Sequence, residues 1–400
     1  MTTLTHPTAT TPHLHLDPHD PLAIDSLLSD EERAVRDRVR RYVEERYAPR
    51  AAELFEHARF PREIARELGD LGVLGMHLDG YGCPGKSAVE YGLACLELEA
   101  GDTGLRTFVS VQGSLAMTAI HTWGSEEQKQ TWLPKLATGE AIGCFALTEP
   151  DAGSDPGSMQ TTARRVGDGW VIDGRKRWIG MASIADVAVV WARTDDGVRG
   201  FLVPTSAPGF KATDITGKLA MRASIQCDIE LNGCRVGPDA ILPGANGLRG
   251  PFTCLDEARY GIMWGVMGAA RSAYEATLEY TKQRQQFGRP IASFQLIQKQ
   301  LVDMAITVNR GILLALHLGR LNDAGRLVPE QISIGKLDNT RHALEVTRTG
   351  RALLGGNGIT LEHPVMRHMV NLEAPYTYEG TAEIHTLIIG HALTSIRAFS

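Results

Sequence analysis

The stretch Leu147-Thr148-Glu149-Pro150-Asp151-Ala152-Gly153-Ser154-Asp155 stands where the character of the chain changes. Small polar residues around a glycine offer hydroxyls and free backbone amides, which suit a phosphate or the polar edge of a ring. By itself the stretch also reads as a turn joining two domains. The residues on either side of it decide the fold.

Upstream, order begins at Ser29, which forms a capping box with Glu32, and Leu28 stands ahead of it as a hydrophobic staple. Val35, Val39, Val43 and Tyr47 recur every four residues among Arg and Glu, the pattern of an amphipathic helix that Pro49 is expected to close. Helical patterns continue through 62–75, 87–101, 105–123 and 125–138, so residues 28–140 are expected to be all-helical. The pattern changes near residue 141. Trp170-Val171-Ile172 and Arg177-Trp178-Ile179 flank Asp173-Gly174, a dipeptide suited to a tight hairpin. Short apolar runs follow at 186–192, 199–203, 210–214 and 225–231, which predicts a small β-sandwich or barrel within residues 141–248.

From Gly250 the chain reads as helical again. Segments near 252–284, 292–322, 329–354 and 380–397 predict an antiparallel four-helix bundle over residues 249–400. The expected fold is therefore mostly α with a central β-domain. Strand and helix units do not alternate, which disfavours a doubly wound sheet. Residues 1–27 are Thr, His and Pro with little to bury and are expected to form a disordered arm. His6, His13, His15 and His19 lie in that arm without regular ligand spacing, so no metal site is expected.

The chain has 400 residues, 43% of them hydrophobic and 22% charged, with a net charge of −6. Net negative charge argues against a nucleic-acid binder. No run approaches eighteen apolar residues, so no membrane span is expected. The six cysteines are scattered without a CxxC pair and read as buried small hydrophobes of a reducing compartment. Met1-Thr2-Thr3 opens the chain without a basic patch and apolar stretch, so a cytoplasmic location is expected.

One motif points elsewhere. Gly80-Tyr81-Gly82-Cys83-Pro84-Gly85-Lys86-Ser87 satisfies the phosphate-binding pattern GxxxxGK[ST], which would make the chain a nucleotide hydrolase. That loop needs a strand before it and a parallel sheet around it. The surroundings here are helical, and a helix–helix loop shaped by Gly82, Pro84 and Gly85 is the favoured reading.

Near the C-terminus stands Tyr376-Thr377-Tyr378-Glu379-Gly380-Thr381-Ala382-Glu383-Ile384. A Glu between an aromatic ring and a Gly, in an otherwise apolar stretch, is a candidate carboxylate with a raised pKa. Alone, it reads more readily as a helix-start carboxylate near the helix dipole.

Taken together and in this order, these segments resemble the acyl-CoA dehydrogenase family over about residues 28–400. Leu147 to Asp155 is similar to the family's first signature. Gln283-Arg284-Gln285-Gln286-Phe287-Gly288, Leu354-Gly355-Gly356-Asn357-Gly358-Ile359 and Tyr378-Glu379-Gly380-Thr381 are similar to later ones. The resemblance implies FAD chemistry on an acyl-CoA thioester. Glu379 would be the base that removes the proton beside the thioester carbonyl while hydride leaves the next carbon for the flavin. The Glu379 amide and a flavin hydroxyl would polarise that carbonyl.

Further contacts follow from the resemblance. Phe145, Leu147, Thr148, Gly153 and Ser154 would line the flavin ring and pyrophosphate, with Trp178 and Gly180. Thr381 and Glu383 lie where the family also touches FAD. Arg284, Phe287, Gln295 and Gly356 would reach the FAD of a neighbouring subunit, which implies a dimer or, as is usual in the family, a homotetramer. Asp256 and Arg259, one helical turn apart, match contacts to the CoA moiety, although an ordinary salt bridge explains them equally.

Glu99, Arg106 and Ser110 resemble the glutaryl-CoA dehydrogenase branch, as do Ala258-Arg259-Tyr260-Gly261-Ile262 and Asn371-Leu372-Glu373-Ala374. In that branch the arginine grips the free carboxylate of the substrate, and Tyr378 joins the substrate contacts. A buried guanidinium without an anion would be costly, so an acidic acyl tail is its complement. The competing reading pairs Arg106 structurally with Glu99 or Asp102. The implied reaction is oxidative decarboxylation of glutaryl-CoA to crotonyl-CoA in lysine or tryptophan breakdown, with electrons passed to an electron-transfer flavoprotein. Gly180 departs from the pattern, since most of these dehydrogenases carry Thr or Ser there. A short-chain acyl-CoA oxidase and a non-decarboxylating dehydrogenase are the alternatives.

Overall fold

The computed structural model describes residues 16–398. Residues 1–15, with His6, His13 and His15, lie outside the described residues. Residues 16–28 pack more than the sequence suggests. Ile24–Leu27 form a 3-10 turn, Ile24 and Leu28 are buried, and the Tyr274 hydroxyl donates to Pro18 O at 2.9 Å. Two apolar anchors and one hydrogen bond are enough to dock this segment. Among the described residues, no group of three or more His, Cys, Asp or Glu side chains gathers as metal ligands.

The N-terminal helices are α1 (Asp30–Tyr42), α2 (Ala48–Glu56), α3 (Glu63–Leu71), α4 (Ala88–Gly101), α5 (Thr103–Val109), α6 (Thr118–Trp123) and α7 (Glu126–Ala137). The Ser29–Glu32 capping box forms at α1 in both directions. Pro49, however, does not close that helix. A π-helical turn, Val43–Tyr47, follows α1, and Pro49 sits at the second position of α2. The widened turn absorbs the missing N–H, as proline is tolerated in a first helical turn. The predicted helix over 105–123 is likewise interrupted by a π-helical stretch, Ser110–Met117, between α5 and α6. Helix α4 is buried on nearly every face, the mark of a core helix. Its fully buried Glu97 is gripped by Arg40 of α1 and by Arg271. These two cations outweigh burial and hold the Glu97 carboxyl down at about 2.

The Gly80–Ser87 segment is a helix–helix loop. Strand β1 (Asp79–Gly80) pairs only with β2 (Cys83–Pro84). Ser87 caps α4 by accepting the Glu90 amide, and Lys86 Nζ lies 2.9 Å from Glu90 Oε1. The lysine has a carboxylate partner and, among the described residues, no parallel sheet stands behind the loop, so the nucleotide-hydrolase alternative has no structural basis.

The central domain is one mixed seven-stranded sheet, a β half-barrel. Its strands are β3 (Gly143–Ala146), β4 (Thr162–Val166), β5 (Gly169–Gly180), β6 (Val187–Thr194), β7 (Gly197–Pro204), β8 (Phe210–Asp214) and β9 (Gln226–Val236). Their order is β3-β6-β4-β5-β9-β8, with β7 on β6. The hairpin expected at Asp173-Gly174 is absent, for β5 runs straight through it. The register of β5 against β9 slips between Ile172 and Gly174, and a Cβ on Gly174 would lie 2.4 Å from Thr161 Oγ1. The dipeptide marks a bulge where the backbone of β5 passes close to Thr161. The tight turn lies earlier, at Gly167-Asp168 between β4 and β5.

The C-terminal helices are α8 (Arg249–Gln283), α9 (Gln295–Asp323), α10 (Pro329–Leu353), α11 (Pro364–Thr377) and α12 (Ala382–Thr394). Helix α8 lies between α4 and α10 and joins the two helical domains. Helix α11 falls in a stretch that the sequence pattern leaves unassigned. Among the described residues, α9 alone is long and apolar enough by length and composition to cross a membrane, and half of its most apolar window is buried inside the protein. Five of the six cysteines are buried and all six are free.

Candidate active site

The site forms where α4, α5, α8, α10 and the α11–α12 turn converge. Helix α11 ends at Thr377 and α12 starts at Ala382, with the Thr381 hydroxyl accepting the Ile384 amide as its cap. Between them the backbone takes two left-handed steps, Glu379 at φ 54° and Gly380 at φ 92°. Glycine adopts such a conformation freely, whereas glutamate does so only when its surroundings hold it there. Those surroundings are two cations. Arg259 Nε donates to Glu379 O at 2.9 Å. Lys336 Nζ of α10 donates to the carbonyls of Tyr378, Glu379 and Gly380. Glu379 therefore belongs to an inter-helix turn and not to a helix start.

The Glu379 Oε2 atom is buried and without a partner among the described residues. Burial pushes this carboxyl above its ordinary range, while Arg106, Lys336 and Arg259 pull the other way. A buried, unpaired, basic carboxylate is what proton abstraction from a carbon acid requires.

Facing it is the fully buried Arg106 of α5. Its Nε lies 2.6 Å from Glu99 Oε2 of α4, and its Nη2 donates to the Tyr378 hydroxyl at 2.6 Å. The pairing with Glu99 forms, and that with Asp102 does not. Asp102 breaks the chain between α4 and α5, accepts the Gly104 amide, and is bound by Arg367 and Asn371 of α11. The Arg106 fork is nevertheless only partly satisfied. Its Nη1, the Ser110 hydroxyl and Glu99 Oε1 are all buried without partners. Burial opposes the Arg106 charge, but Glu99 and the groups of the α11–α12 turn keep it protonated. Unfilled donors beside a fixed guanidinium suit an incoming anion.

Helix α8 supplies the wall. A Cβ on Gly265 would lie 2.1 Å from Glu99 Oε2 and 3.1 Å from Arg106 Nε, so only glycine leaves room for this ion pair. Asp256 and Arg259 form the salt bridge that their spacing suggests, at 2.9 Å.

The residues expected to face a flavin lie on the adjoining edge of the half-barrel. Phe145 and Leu147 are buried at the end of β3, and Thr148 is half-buried. Trp178 sits at φ 65° within the irregular pairing of β5 and β9, with its ring 52% exposed and the Arg177 guanidinium 4.9 Å above it. Gly153 and Ser154 are exposed, and among the described residues neither the Thr148 nor the Ser154 hydroxyl has a hydrogen-bond partner. A half-bare indole beside free hydroxyls fits a flavin ring and its phosphates. Gly180 meets the helical domain directly, since a Cβ there would lie 3.1 Å from Val111 Cγ2. Val111 follows Ser110, so this edge adjoins the Arg106 pocket.

Other candidates lie elsewhere. Glu383 is exposed on the first turn of α12. Arg284, Phe287, Gln295 and Gly356 gather at the far end of α8, about 38 Å from Arg259 at ~1.5 Å of rise per residue. Phe287, in the turn between β10 (Gln285–Gln286) and β11 (Arg289–Pro290), is 92% exposed. The sequence pattern missed Lys336, Gly265 and Val111. A lone lysine among the buried Ile332, Ser333, Gly335 and Asn339 of α10 is the one signal that pointed to the first.

Comparison with known proteins agrees with this geometry. Residues 29–140 match the family model for the acyl-CoA dehydrogenase N-terminal domain, 144–234 the middle domain and 245–394 the C-terminal domain. The human mitochondrial short-chain specific acyl-CoA dehydrogenase is 35% identical over 368 residues, 90% of this chain and 89% of that protein. The crystal structure of glutaryl-CoA dehydrogenase from Mycobacterium smegmatis superposes with a TM-score of 0.94 at 58% identity, covering 96% of this chain and 99% of that one. A second glutaryl-CoA dehydrogenase structure from that organism, in complex with FADH2, gives 0.95 at 54% identity over the same shares.

Proposed function

Because the chain belongs to the acyl-CoA dehydrogenase family of FAD-dependent oxidoreductases, we propose that its substrate is a short dicarboxylic thioester, glutaryl-CoA, which it converts to crotonyl-CoA and CO2. The observation that carries this reading is the half-satisfied Arg106. Its Nη1 and the Ser110 hydroxyl are buried donors without acceptors among the described residues, and the same guanidinium binds the Tyr378 hydroxyl next to Glu379. A plain acyl chain would leave them unpaired, whereas a terminal carboxylate satisfies both. The similarity to the glutaryl-CoA dehydrogenases supports the same choice.

Glu379 takes the proton from the carbon beside the thioester carbonyl. Its own N–H, which has no backbone partner among the described residues, polarises that carbonyl. Trp178 and Gly180 would line the edge that holds FAD, which would supply the two-electron acceptor. The carboxylate held by Arg106 then stands one carbon beyond the new double bond. Breaking its C–C bond releases CO2 and leaves a dienolate, to which Glu379 returns a proton. Electrons would leave through an electron-transfer flavoprotein. The protein would be a homotetramer in which Arg284, Phe287, Gln295 and Gly356 complete a neighbour's FAD site. The exposed Phe287, Leu296, Val302 and Ile306 support such a contact.

The test is anaerobic mixing of the yellow holoenzyme with glutaryl-, butyryl- and isobutyryl-CoA, followed by mass analysis of the products. Fastest flavin bleaching with glutaryl-CoA and formation of crotonyl-CoA is expected. Faster bleaching with butyryl-CoA would make this a short-chain dehydrogenase, and accumulation of glutaconyl-CoA would remove the decarboxylation. Gly180 favours a second reading, an oxidase, because Val111 stands where a hydroxyl-bearing side chain would extend. Peroxide formation at each turnover in air would establish it.

A further inference from the structure

Lys336 of α10 is 2% exposed and lies on a face otherwise made of Ile332, Ser333, Gly335, Asn339 and Thr340. A lysine in such a place is rare unless its charge has a purpose. Its ammonium donates to three successive carbonyls, those of Tyr378, Glu379 (3.3 Å) and Gly380 (2.6 Å). These carbonyls follow the end of α11 and have no helical partners, so hydrogen bonding alone would account for a donor there. A neutral amide could satisfy that need. The charge of the lysine requires a separate explanation.

The other charges around the site provide it. Arg106 of α5 is matched by Glu99 of α4, and Arg259 of α8 by Asp256. His385 of α12, whose Nδ1 is bonded to Ser333, is held neutral by burial and by Lys336 and Arg259, at about 3. Tyr378 binds Arg106 through its hydroxyl. Among these groups Lys336 is the cation left unmatched and Glu379 the carboxylate left unmatched. Burial raises the Glu379 carboxyl and is opposed by Arg106 and then by Lys336, while burial lowers the lysine and Glu379 opposes that shift, so Lys336 and Glu379 favour each other's charge.

We infer that Lys336 is the positioning residue for the base: it clamps the left-handed Tyr378–Gly380 turn and supplies the counter-charge that keeps the Glu379 carboxylate ionised. The inference rests on the reading of Glu379 as the base. It concerns the ionisation of that carboxylate, which can be measured without turnover.

The test uses the FAD-loaded enzyme and its Lys336→Met, Lys336→Gln and Lys336→Arg variants. Infrared difference spectra against Glu379→Gln follow the protonated Glu379 carboxyl as a function of pH. Anaerobic stopped-flow follows flavin reduction over the same range. Lys336→Gln keeps a donor and loses the charge. It is expected to move the carboxyl titration upward by about one to three pH units, the usual effect of removing a close opposite charge. Its flavin-reduction rate should fall tenfold or more at neutral pH and recover as the pH rises, while the thioester dissociation constant changes less than about threefold. Lys336→Met should do the same with a lower rate at every pH, and Lys336→Arg should restore the original titration. An unmoved titration in Lys336→Gln, or a rate loss equal at every pH, overturns the inference. If the neutral variants do not fold, Lys336→Arg decides: an upward shift despite the retained charge overturns it. Full turnover by Glu379→Gln would instead remove the base assignment, and the infrared titration would still decide the role of Lys336.

Discussion

Arg106 shows how one side chain can determine a substrate class. Its guanidinium is fixed on two sides by Glu99 and Tyr378, and the remaining Nη1 is a fixed, buried donor without a partner among the described residues. Removing one partner of a buried charge pair typically loses about 2–5 kcal/mol. Arg106→Ala should therefore cut kcat/KM for glutaryl-CoA by about 10²-fold or more, with butyryl-CoA changed far less; equal losses for both would return Arg106 to a structural role. Glu379 carries the second prediction at this scale. Its carboxyl must be ionised to accept a proton, and burial raises its pKa. Flavin reduction should therefore rise with pH along an acid limb above the ordinary glutamate range. A limb at or below that range would place the base elsewhere. Both residues stand out in the sequence, because a charge among aromatic and small residues is conspicuous. Lys336 stands out only as a lone charge in a buried stretch, and its role does not, because its partners are main-chain carbonyls some forty residues away, which leave no mark in side-chain identity.

At the scale of elements, the crossing of α4 and α8 sets the pocket. Gly265 of α8 faces the Glu99–Arg106 pair, and a Cβ on Gly268 would lie 1.8 Å from Leu96 O, so the two helices touch nearly backbone to backbone. Gly265→Ala should displace Glu99, weaken selection for the dicarboxylic substrate and lower stability by about 1–3 kcal/mol, as overpacking of a core does. Combined with Glu99→Ala, which itself strands the buried Arg106 charge, the loss should be smaller than the sum of the two single losses, so the pair of changes is expected to be non-additive in thermal unfolding. Strict additivity would show that the glycine serves only helix packing. Two of the element-level differences from the sequence pattern have similar causes. Pro49 and Asp173-Gly174 carry strong local signals for a stop and a turn. A π-helical turn and a β-bulge absorb them because packing on neighbouring elements outweighs local preference.

In the whole molecule, α8 holds Asp256 and Arg259 near one end and Arg284 just beyond the other, too far apart to serve one site within one chain. The exposed Phe287, and Arg284, which has no side-chain partner among the described residues, gain a role if a second copy presents its FAD there. Phe287→Asp should accordingly lower the mass measured by light scattering and the FAD retained on gel filtration together, because an exposed aromatic anchor in an interface is replaced by a charge. Loss of neither, or of only one, would separate assembly from cofactor binding.

By itself the sequence determined the order of a helical domain, a β-domain and a helical domain, the Ser29 cap, and the segments that carry Arg106, Glu379 and the Leu147–Asp155 turn. These are written in periodicity and in residue type, which act over a few neighbouring positions. Tertiary structure alone decided that Arg106 takes Glu99 and leaves Asp102 to Arg367, that Gly265 makes room for the pair, and that Lys336 closes on the turn bearing Glu379. Each of these depends on close approach between helices distant in sequence, where burial removes competing water and leaves a charge or a carbonyl to the nearest partner.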